Sequence, residues 1–453
     1  AQQFVNHWQA NIRNLGRQAV ACDRLYISTN PGCFGRATAC WISSLDVTSY
    51  QNEECSPSAF ESNSLLFVAD PFAIAEYMQS NEPFTAEILE DATDAQGDRA
   101  GLTFVVGSPV IAQAVTVGGR HACSLQQDAT VRCWGGNAYG EIGMGTSTQV
   151  YSAPVNPGLT GVRQIAAGDG YTCAVLQTGS VYCWGLNDTG QLGDGSTTQR
   201  NSPTKVVGVS NAVSVEVGRF HSCAILADSS VSCWGANWYN QLGTTGSWGA
   251  AAVPYPAKVI NAGSAITGVK SLSVGGWHTC VVLGDNNGRC WGYWGDFALG
   301  NQWNGQPNPP SGQVMGGADK TMIDVGNRFG CASSSGSLWC WGRNDNGQIG
   351  NNSNGNTGGG FSYNLPFKVK NFSASLAQHT CAVTSDSLVL CWGAGTRGQI
   401  GDGGASARWL PTPVVGLSGP AISVSAGGFN DTNTGQTCAL LVSGSVQCWG
   451  NND

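Results

Sequence analysis

Histidines that could serve acid–base or metal chemistry recur at one repeated position in this chain. Two residues before a cysteine, seven copies of a repeat carry, in order, His121, Tyr171, His221, His278, Phe329, His379 and Gln436. The ligands of one metal ion lie about 2 Å from it, so one residue per repeat forms too wide a ring unless it surrounds a narrow axis. We therefore predict packed or hydrogen-bonded histidines and no metal site.

Other signatures of catalysis are absent from the sequence. It contains no G-x-S-x-G elbow, no H-E-x-x-H motif and no nucleotide-binding P-loop. No pair of carboxylates stands out as an acid and a base. We expect a protein that is not an enzyme and has no cofactor.

Cysteine is the second residue type with chemical potential, and 18 are present. Fourteen form pairs nine or ten residues apart, each on the two arms of one predicted hairpin: Cys123/Cys133, Cys173/Cys183, Cys223/Cys233, Cys280/Cys290, Cys331/Cys340, Cys381/Cys391 and Cys438/Cys448. Facing residues of antiparallel strands lie within disulfide reach. Buried free thiols are the alternative, and zinc is disfavoured because no C-x2-C occurs. Seven disulfides predict an oxidising compartment.

The second cysteine of each pair begins the phrase Cys-Trp-Gly, which returns every 50 to 57 residues. Within one unit, Gly170–Leu176 and Val181–Trp184 are predicted to be strands joined by a turn, and a glycine-rich corner follows at 187–193. About four short strands per repeat, without helical periodicity, are typical of a propeller blade. We predict a mainly β chain whose residues 101–453 form a seven-bladed β-propeller.

The seventh unit lacks a final strand, because the sequence given stops three residues after the last Cys-Trp-Gly. Phe104-Val105-Val106-Gly107 resembles Lys205-Val206-Val207-Gly208, which follows the corner of the second unit. We predict that the strand at 104–107 completes the last blade and closes the ring.

Residues 1–100 lack the repeat and predict a small, disulfide-bonded α+β domain for attachment or assembly. Phe4, Trp8, Ile12 and Leu15 have helical spacing, so the chain is expected to open with an amphipathic helix that docks on its own domain or on another subunit. The remaining cysteines, Cys22, Cys33, Cys40 and Cys55, predict two disulfides whose pairing stays open.

Charge divides the chain at the same point. Residues 1–100 carry five Arg, no Lys and 13 acidic residues, whereas the rest carries 16 basic and 16 acidic residues. This distribution argues against nucleic-acid binding. The sequence contains no apolar run of about 20 residues, so no transmembrane segment is predicted. The start Ala-Gln-Gln has no basic and apolar leader, so we expect a mature secreted protein outside the cell or on its surface.

Aromatic residues crowd the corner loops of the third and fourth units. Trp238, Tyr239, Trp248, Trp294 and Trp303 form the candidate binding set. Aromatic side chains on the loops of a rigid scaffold favour binding of a protein or a glycan, although such rings can also cap a long loop. Four Asn-x-Ser/Thr sequons stand at Asn187, Asn351, Asn371 and Asn430, and the sequence does not indicate whether they are glycosylated.

The segment Gly185-Leu186-Asn187-Asp188-Thr189-Gly190-Gln191-Leu192-Gly193, with His221–Leu226 and Val231–Gly235, resembles the regulator of chromosome condensation repeat family. The resemblance covers about 350 residues and implies a seven-bladed propeller. The family's nuclear founders are exchange factors for a small GTPase and bind chromatin. This chain has paired cysteines, no basic tail and no net positive charge on its repeats, so we do not expect that activity. It is more similar to cysteine-bearing, secreted bacterial members.

Two functions follow from this interpretation. The first is a non-enzymatic extracellular binding or structural protein, displayed on a cell surface or built into an appendage or filament through self-association. The alternative is a soluble secreted propeller that binds a protein or a glycan through the aromatic loops at 238–303, as an inhibitor or a lectin would.

Overall fold

The computed structural model describes residues 111–148, 150–245, 249–300, 319–356, 368–429 and 435–451, and describes the backbone alone at Phe84–Leu89, Gly101–Val106, Gly312–Gln313, Thr357–Tyr363 and Thr434. The chain divides into two compact units, Ala1–Val110 and Ile111–Asp453. The predicted opening helix and the cysteines at 22, 33, 40 and 55 lie outside the described residues. In the first unit, β1 (Phe84–Leu89) pairs antiparallel with β2 (Gly101–Val106).

The described strands of the second unit form seven consecutive antiparallel sheets, the blades, and one small two-stranded hairpin. Blade 1 contains β3 (Ala112–Val117), β4 (His121–Gln126), β5 (Val131–Gly135) and β6 (Tyr151–Val155); blade 2 contains β7 (Val162–Ala167), β8 (Tyr171–Leu176), β9 (Val181–Gly185) and β10 (Arg200–Lys205); and blade 3 contains β11 (Ala212–Val217), β12 (His221–Leu226), β13 (Val231–Gly235) and β14 (Val253–Lys258). A small hairpin of β15 (Ile260–Asn261) and β16 (Ser264–Ala265) precedes blade 4, which contains β17 (Val269–Val274), β18 (His278–Leu283), β19 (Gly288–Gly292) and β20 (Gly312–Gln313). Blade 5 contains β21 (Lys320–Val325), β22 (Phe329–Ser334), β23 (Ser337–Gly342) and β24 (Thr357–Tyr363); blade 6 contains β25 (Val369–Ala374), β26 (His379–Thr384), β27 (Val389–Gly393) and β28 (Arg408–Pro413); and blade 7 contains β29 (Ala421–Phe429), β30 (Thr434–Leu441) and β31 (Val446–Gly450). The described residues contain one 3-10 turn, Gly295–Phe297, and no α-helix.

The second and third strands of every blade are joined by one disulfide. The two cysteines face each other directly in the ladder, and the seven Cα–Cα distances are 4.0 to 4.1 Å. A direct facing position at the closer type of antiparallel pair brings the two sulfur atoms within bonding reach. The bonds join the same cysteines that the sequence analysis matched: Cys123 to Cys133, Cys173 to Cys183, Cys223 to Cys233, Cys280 to Cys290, Cys331 to Cys340, Cys381 to Cys391, and Cys438 to Cys448.

Apart from Cys448, which is exposed, these cysteines belong to the hydrophobic core. Cys133, Cys233, Cys290 and Cys340 are at most 3% exposed, and each packs in a hydrophobic cluster of its own blade interface. The alternative of buried free thiols is wrong for these four residues, because each sulfur is bonded to its partner across the hairpin. Their role is therefore to cross-link the blade.

The corner after the third strand is shaped by one asparagine. In blade 2, Asn187 Oδ1 accepts the N–H of Leu192 at 3.0 Å, and its Nδ2 donates to the carbonyl of Thr198 at 3.0 Å. The loop therefore folds back on itself, and the carbonyl of Gln191 points toward blade 3, where it accepts Trp234 Nε1 at 2.8 Å. The corner thus satisfies the buried indole of the next blade.

This corner-to-indole contact repeats around the propeller. The Cys-Trp-Gly indoles that donate to a corner carbonyl of the preceding blade are Trp184, Trp234, Trp291, Trp341, Trp392 and Trp449. The first five are at most 1% exposed. Gly193 at φ +68° lies where a Cβ would come within 2.7 Å of Trp234 Nε1, so glycine is required there for both backbone and space. The repeated tryptophan is a blade-interface residue.

The ring is closed by contacts between blade 7 and blade 1. Val117 N–H donates to Ser425 Oγ at 3.0 Å, and Gly428 N–H donates to the carbonyl of Gly118 at 2.9 Å. First strands of other neighbouring blades make the same kind of contact, for example from Ala167 N–H to Thr116 Oγ1 at 3.0 Å. The first strands of neighbouring blades can contact each other in this way only where the blades converge. The first strands therefore surround the central axis of the propeller. The predicted seven-bladed propeller is confirmed.

The predicted closure of the last blade by the strand at 104–107 stays a prediction. Among the described strands, the sheet of blade 7 contains β29, β30 and β31, and the described partner of β2 is β1.

Candidate functional site

Two sets of loops emerge on the same face of the propeller. In a blade of four antiparallel strands, the turn between strands one and two and the corner between strands three and four lie at one end. We call this end the corner face. Residues just before the repeated histidine position and residues just after Cys-Trp-Gly therefore share one surface, and they do so in every blade.

The repeated histidines lie beneath this face and link adjacent blades. Nε2 of His121, His221 and His379 lies 2.7 to 2.9 Å from a threonine hydroxyl of the next blade. All three are fully buried, and burial lowers the pKa of each to about 3. They are therefore neutral at physiological pH and hold the blades together, which agrees with the packed role predicted for them.

The fourth buried histidine differs because its neighbour has no side chain. Thr279 and Thr437 supply the hydroxyl for His221 and His379, but the equivalent residue beside His278 is Gly330. Both ring nitrogens of His278 lack a hydrogen-bond partner among the described residues, and burial lowers its pKa to about 4.

A substitution at the hydroxyl tests this blade-to-blade link. Thr279→Val should lower the free energy of unfolding by about 1–3 kcal/mol, because it leaves the buried His221 Nε2 without its partner. Urea unfolding followed by tryptophan fluorescence gives the value. Thr321→Val, on an exposed residue of β21, is the control. Equal stability of the Thr279 variant and the native protein would contradict the structural role.

Six aromatic side chains meet on the corner face of blades 3 and 4. We call this set the aromatic platform, and its members are Phe220, Trp238, Tyr239, Trp277, Tyr293 and Trp294. All six are half-buried. Tyr239 lies at the centre, with ring centroids 5.6 Å from Trp277, 5.1 Å from Tyr293 and 6.1 Å from Trp294. Most of the pairs meet edge to face, which is a favourable geometry for aromatic rings.

The platform contains only part of the aromatic set predicted from the sequence. Trp238, Tyr239 and Trp294 belong to it, whereas Trp248 and Trp303 lie outside the described residues. Phe220 and Trp277 were missed. Each stands immediately before a repeated histidine, in the turn between the first and second strands of its blade. Because this turn lies on the same face as the corner, its residues could have been identified as neighbours of the corner aromatics.

Two arginines border the platform and are fixed by carboxylates. The guanidinium carbon of Arg219 lies 4.4 Å from the ring centroid of Phe220, and its Nε lies 3.3 Å from Asp169 Oδ2. On the other side, the guanidinium carbon of Arg328 lies 5.0 Å from the ring centroid of Tyr293 and also pairs with Asp296. Each cation is thus held against a ring face, which is the geometry of a cation–π contact.

The platform is a continuous surface and not a cage. Its rings already touch one another at centroid distances of 4.9 to 6.2 Å, so no ammonium group fits between them. The chemistry available is therefore contact with a surface laid on the rings, together with hydrogen bonds to the bordering arginines and aspartates.

Carboxylates beneath the same face are strongly perturbed. Burial raises the pKa of Asp169 to about 6, although Arg219 and Arg120 act in the opposite direction. Burial likewise raises the pKa of Glu141 to about 7. Glu141 takes the place that Gln191 has in the next blade, and its Oε2 accepts the N–H of Tyr139 at 2.7 Å just as Gln191 Oε1 accepts that of Thr189. Its position is therefore explained by the fold of the corner.

Neither a metal centre nor a membrane span is found in the described part of the chain. There, no three His, Cys, Asp or Glu side chains are grouped as metal ligands, and no helix has the length and apolar character needed to cross a bilayer.

Of the described sequon asparagines, one is fully buried and two are half-buried. Asn187 is 0% exposed because its amide builds the corner. Asn371 lies on the first strand of blade 6 and accepts the N–H of Val424 at 2.8 Å. Asn351 is half-buried in the corner of blade 5, and Asn430 lies outside the described residues.

Family models match this chain in every blade except blade 4. The regulator of chromosome condensation (RCC1) repeat matches at residues 178–225, 335–384 and 386–430, and a second model of the same repeat matches at 112–141, 162–191 and 212–241. The chain contains RCC1 repeats. The resemblance to this repeat family that was seen in the sequence is confirmed, whereas the closer similarity to secreted bacterial members stays a prediction.

Individual relatives share the repeat at low identity. An RCC1 domain-containing mitochondrial protein of Arabidopsis thaliana, RUG3, is 28% identical over 195 residues, which cover 40% of this chain and 42% of that protein. The chain thus spans less than half the length of this curated relative. Among solved structures, human WBSCR16 has 17% identity, a TM-score of 0.62, and covers 75% of this chain and 92% of its own. Prp20p of Saccharomyces cerevisiae has 23% identity, a TM-score of 0.61, and covers 71% and 83%. At these identities, the two structures support the fold alone.

Proposed function

We propose that this chain is a non-enzymatic binding protein of an extracellular, oxidising compartment, and that it binds a protein partner through the aromatic platform. The observation that carries the proposal is the gathering of six half-buried rings from four loops of two adjacent blades, bordered by two fixed arginines. Tryptophan, tyrosine and arginine are the residue types that dominate binding energy at protein interfaces.

The scaffold supports the same proposal. Each blade carries its own disulfide and hydrogen-bonds to its neighbours, so the loops of blades 3 and 4 are held by a rigid frame. A preformed surface loses little conformational entropy on binding. The rings also support one another, since each contacts at least one other ring of the platform.

The buried histidines support a role other than catalysis. Those in the described blades have pKa values far below neutral and lie beneath the corner face, so they are poorly placed to exchange protons with a substrate. The seven disulfides support an oxidising compartment, because such bonds persist in secreted proteins. A protein is favoured as the partner because platforms of this composition recur at protein interfaces, and because the yeast relative Prp20p is described as binding Gsp1p and histones.

A pair of tryptophan variants tests the proposal. Trp238→Ala and Trp277→Ala should each weaken partner binding by about 30-fold or more, since truncation of a central aromatic anchor costs at least about 2 kcal/mol. Photo-crosslinking from position 239 identifies the partner in the extracellular fluid of the source, and calorimetry with the purified partner then gives the dissociation constants.

Trp409→Ala is the matched control. Trp409 is 43% exposed on the outer strand of blade 6, away from the platform, so its removal should leave affinity unchanged. A partner that binds the two platform variants as tightly as the native protein would overturn the proposal. The same variants on an oligosaccharide array decide the alternative: platform-dependent binding of a sugar would identify a glycan instead of a protein.

The predicted assembly into a filament through residues 1–100 stays a prediction, because the helix and cysteines on which it depends lie outside the described residues. Size-exclusion chromatography and negative-stain images over a range of concentrations test it. A strictly monomeric particle at high concentration would contradict it.

A further inference from the structure

The aromatic platform is a strip that runs from blade 3 to the edge of blade 5. The ring centroids of Phe220 and Trp277 are 4.9 Å apart, and those of Trp277 and Tyr239 are 5.6 Å apart. The rings of Tyr239 and Tyr293 continue the strip at 5.1 Å, and Arg328, in the first turn of blade 5, lies 5.0 Å from the ring of Tyr293. A strip of touching rings suits an extended segment laid along it better than a single inserted side chain.

The polar atoms of this strip are mainly hydrogen-bond donors. Its three indoles and its two bordering guanidinium groups can only donate, and its two tyrosine hydroxyls can donate or accept. The bordering carboxylates already face the guanidinium groups, since Asp169 lies 3.3 Å from Arg219 and Asp296 lies 3.6 Å from Arg328. A segment that binds here must therefore supply acceptors and needs few donors of its own.

Two of these donors have no hydrogen-bond partner among the described residues. They are Trp277 Nε1 and Arg328 Nε. The indoles of Cys-Trp-Gly differ in this respect, since Trp234 Nε1, for example, donates to the carbonyl of Gln191 at 2.8 Å. An enclosed N–H without an acceptor costs free energy, and a carbonyl that reaches it removes that cost. Both donors belong to half-buried side chains of the strip, so a bound molecule can supply this carbonyl.

The charges and donors of the strip disfavour other kinds of ligand. Each bordering guanidinium is balanced by one carboxylate, so a strongly acidic or strongly basic segment gains little from long-range attraction. An α-helix has its backbone carbonyls bonded internally and offers few acceptors. The hydroxyls of a glycan donate as well as accept, whereas the strip has few acceptors to receive them.

We propose that the segment bound by the platform is rich in proline and has the polyproline II conformation, an inference that rests on the protein-binding role proposed above. Proline has no backbone N–H, so such a segment presents carbonyl acceptors without competing donors. Its carbonyls have no internal hydrogen bonds, and its conformation is largely set before binding, which lowers the entropic cost. Its pyrrolidine rings pack on aromatic side chains, as proline-rich peptides do in aromatic-lined grooves.

Two synthetic peptides test this inference on the full chain. Fluorescence anisotropy is measured with a labelled peptide of ten L-prolines and with its mirror image of ten D-prolines. The two peptides have the same rings and carbonyls, but their helices have opposite hands. We expect saturable binding of the L peptide and binding of the D peptide that is at least about tenfold weaker. Equal binding of both peptides, or no saturable binding of the L peptide at millimolar concentration, would overturn the proposal.

Trp277→Phe separates the hydrogen bond from the ring contact. Phenylalanine keeps an aromatic ring but lacks Nε1, so affinity for the L peptide should fall by about 3- to 10-fold, the range that one hydrogen bond accounts for. The urea unfolding midpoint should not fall, because Nε1 has no described partner in the free protein. Trp409→Phe, on the outer strand of blade 6, is the matched control and should leave affinity unchanged. Native affinity of Trp277→Phe would refute the donor role on which the proposal depends.

The natural partner distinguishes this inference from the function on which it rests. Suppose that Trp238→Ala weakens binding of that partner, but the crosslink from position 239 maps to a segment without proline. The protein-binding role then stands, and the inference of a proline-rich segment is wrong. Self-association of the chain that Trp238→Ala abolishes would identify a second copy as the occupant and would likewise overturn the inference.

Discussion

Reduction of the seven disulfides should unfold the propeller at urea concentrations at which the oxidised protein remains folded. Each disulfide closes a loop of nine or ten residues, which in the chain-entropy model contributes about 2–3 kcal/mol. A hairpin partly ordered in the unfolded chain lowers that figure. Seven such contributions are still on the order of 10 kcal/mol, comparable with the whole stability of an ordinary domain.

Urea unfolding with and without a thiol reductant, followed by tryptophan fluorescence, measures this effect. The buried indoles lie at the blade interfaces and therefore report loss of blade packing. Cys223→Ala/Cys233→Ala is the single-pair comparison. It should cost the oxidised protein about 1–3 kcal/mol and should change the reduced protein far less. Coincident unfolding midpoints with and without reductant would show that the disulfides do not stabilise the fold.

Glu216→Gln should stabilise the protein above neutral pH. Glu216 lies on the first strand of blade 3, close to the axis, and its Oε1 accepts Gln164 Nε2 at 2.9 Å. Burial, assisted by the negative charge of Asp324, raises the pKa of Glu216 to about 8 from an ordinary value of 4.5. Asp324 itself is held by hydrogen bonds from Ser273 Oγ at 2.7 Å and Ala374 N–H at 2.8 Å. Glu216 is therefore the carboxyl with fewer compensating bonds.

The direction of the pH dependence follows from which state binds the proton more tightly. Between pH 4.5 and 8, the folded protein retains a proton on Glu216 that the unfolded chain releases. The stability from this group is therefore complete below pH 4.5 and is lost as the pH rises through 8. The loss is on the order of 5 kcal/mol by pH 9. Glutamine imitates the protonated carboxyl at every pH and removes this slope.

The measurement is the free energy of urea unfolding from pH 5 to pH 9 for the native protein and the variant. Asp188→Asn, which alters an exposed carboxyl of the corner face, is the control for general charge effects. Parallel curves for Glu216→Gln and the native protein would show that this carboxyl is ionised in the folded state at neutral pH.

The blades could be predicted from the sequence because their contacts are local. A cysteine pair ten residues apart, with a short turn between, admits one hairpin register, and the structure has that register in blade 2. The corner is equally local, since Asn187 contacts Leu192 and Thr198 within the same loop. Because the units repeat, a correct prediction for one blade applies to the others.

The aromatic platform could be predicted only in part because its contacts join different units. Tyr239 and Tyr293 belong to neighbouring blades and are far apart in the chain, and their contact depends on the angle between the blades. Phe220 and Trp277 occupy a turn position that holds glycine in blade 2. Because this position varies between repeats, comparison of the repeats does not identify them. The threonine partners of the buried histidines could not be predicted for the same reason, because each threonine belongs to the next repeat.

The corner asparagine of blade 2 has a consequence for how the protein is made. Asn187 heads the sequence Asn-Asp-Thr, yet its side-chain nitrogen is fully enclosed once the loop has formed. In a secretory pathway that attaches oligosaccharides to nascent chains, modification of this nitrogen and closure of the loop exclude each other. In yeast or mammalian cells, glycosylation of Asn187 during translocation would therefore compete with folding of the corner loop. A bacterial periplasm forms disulfides without attaching such oligosaccharides, so the loop is free to close there.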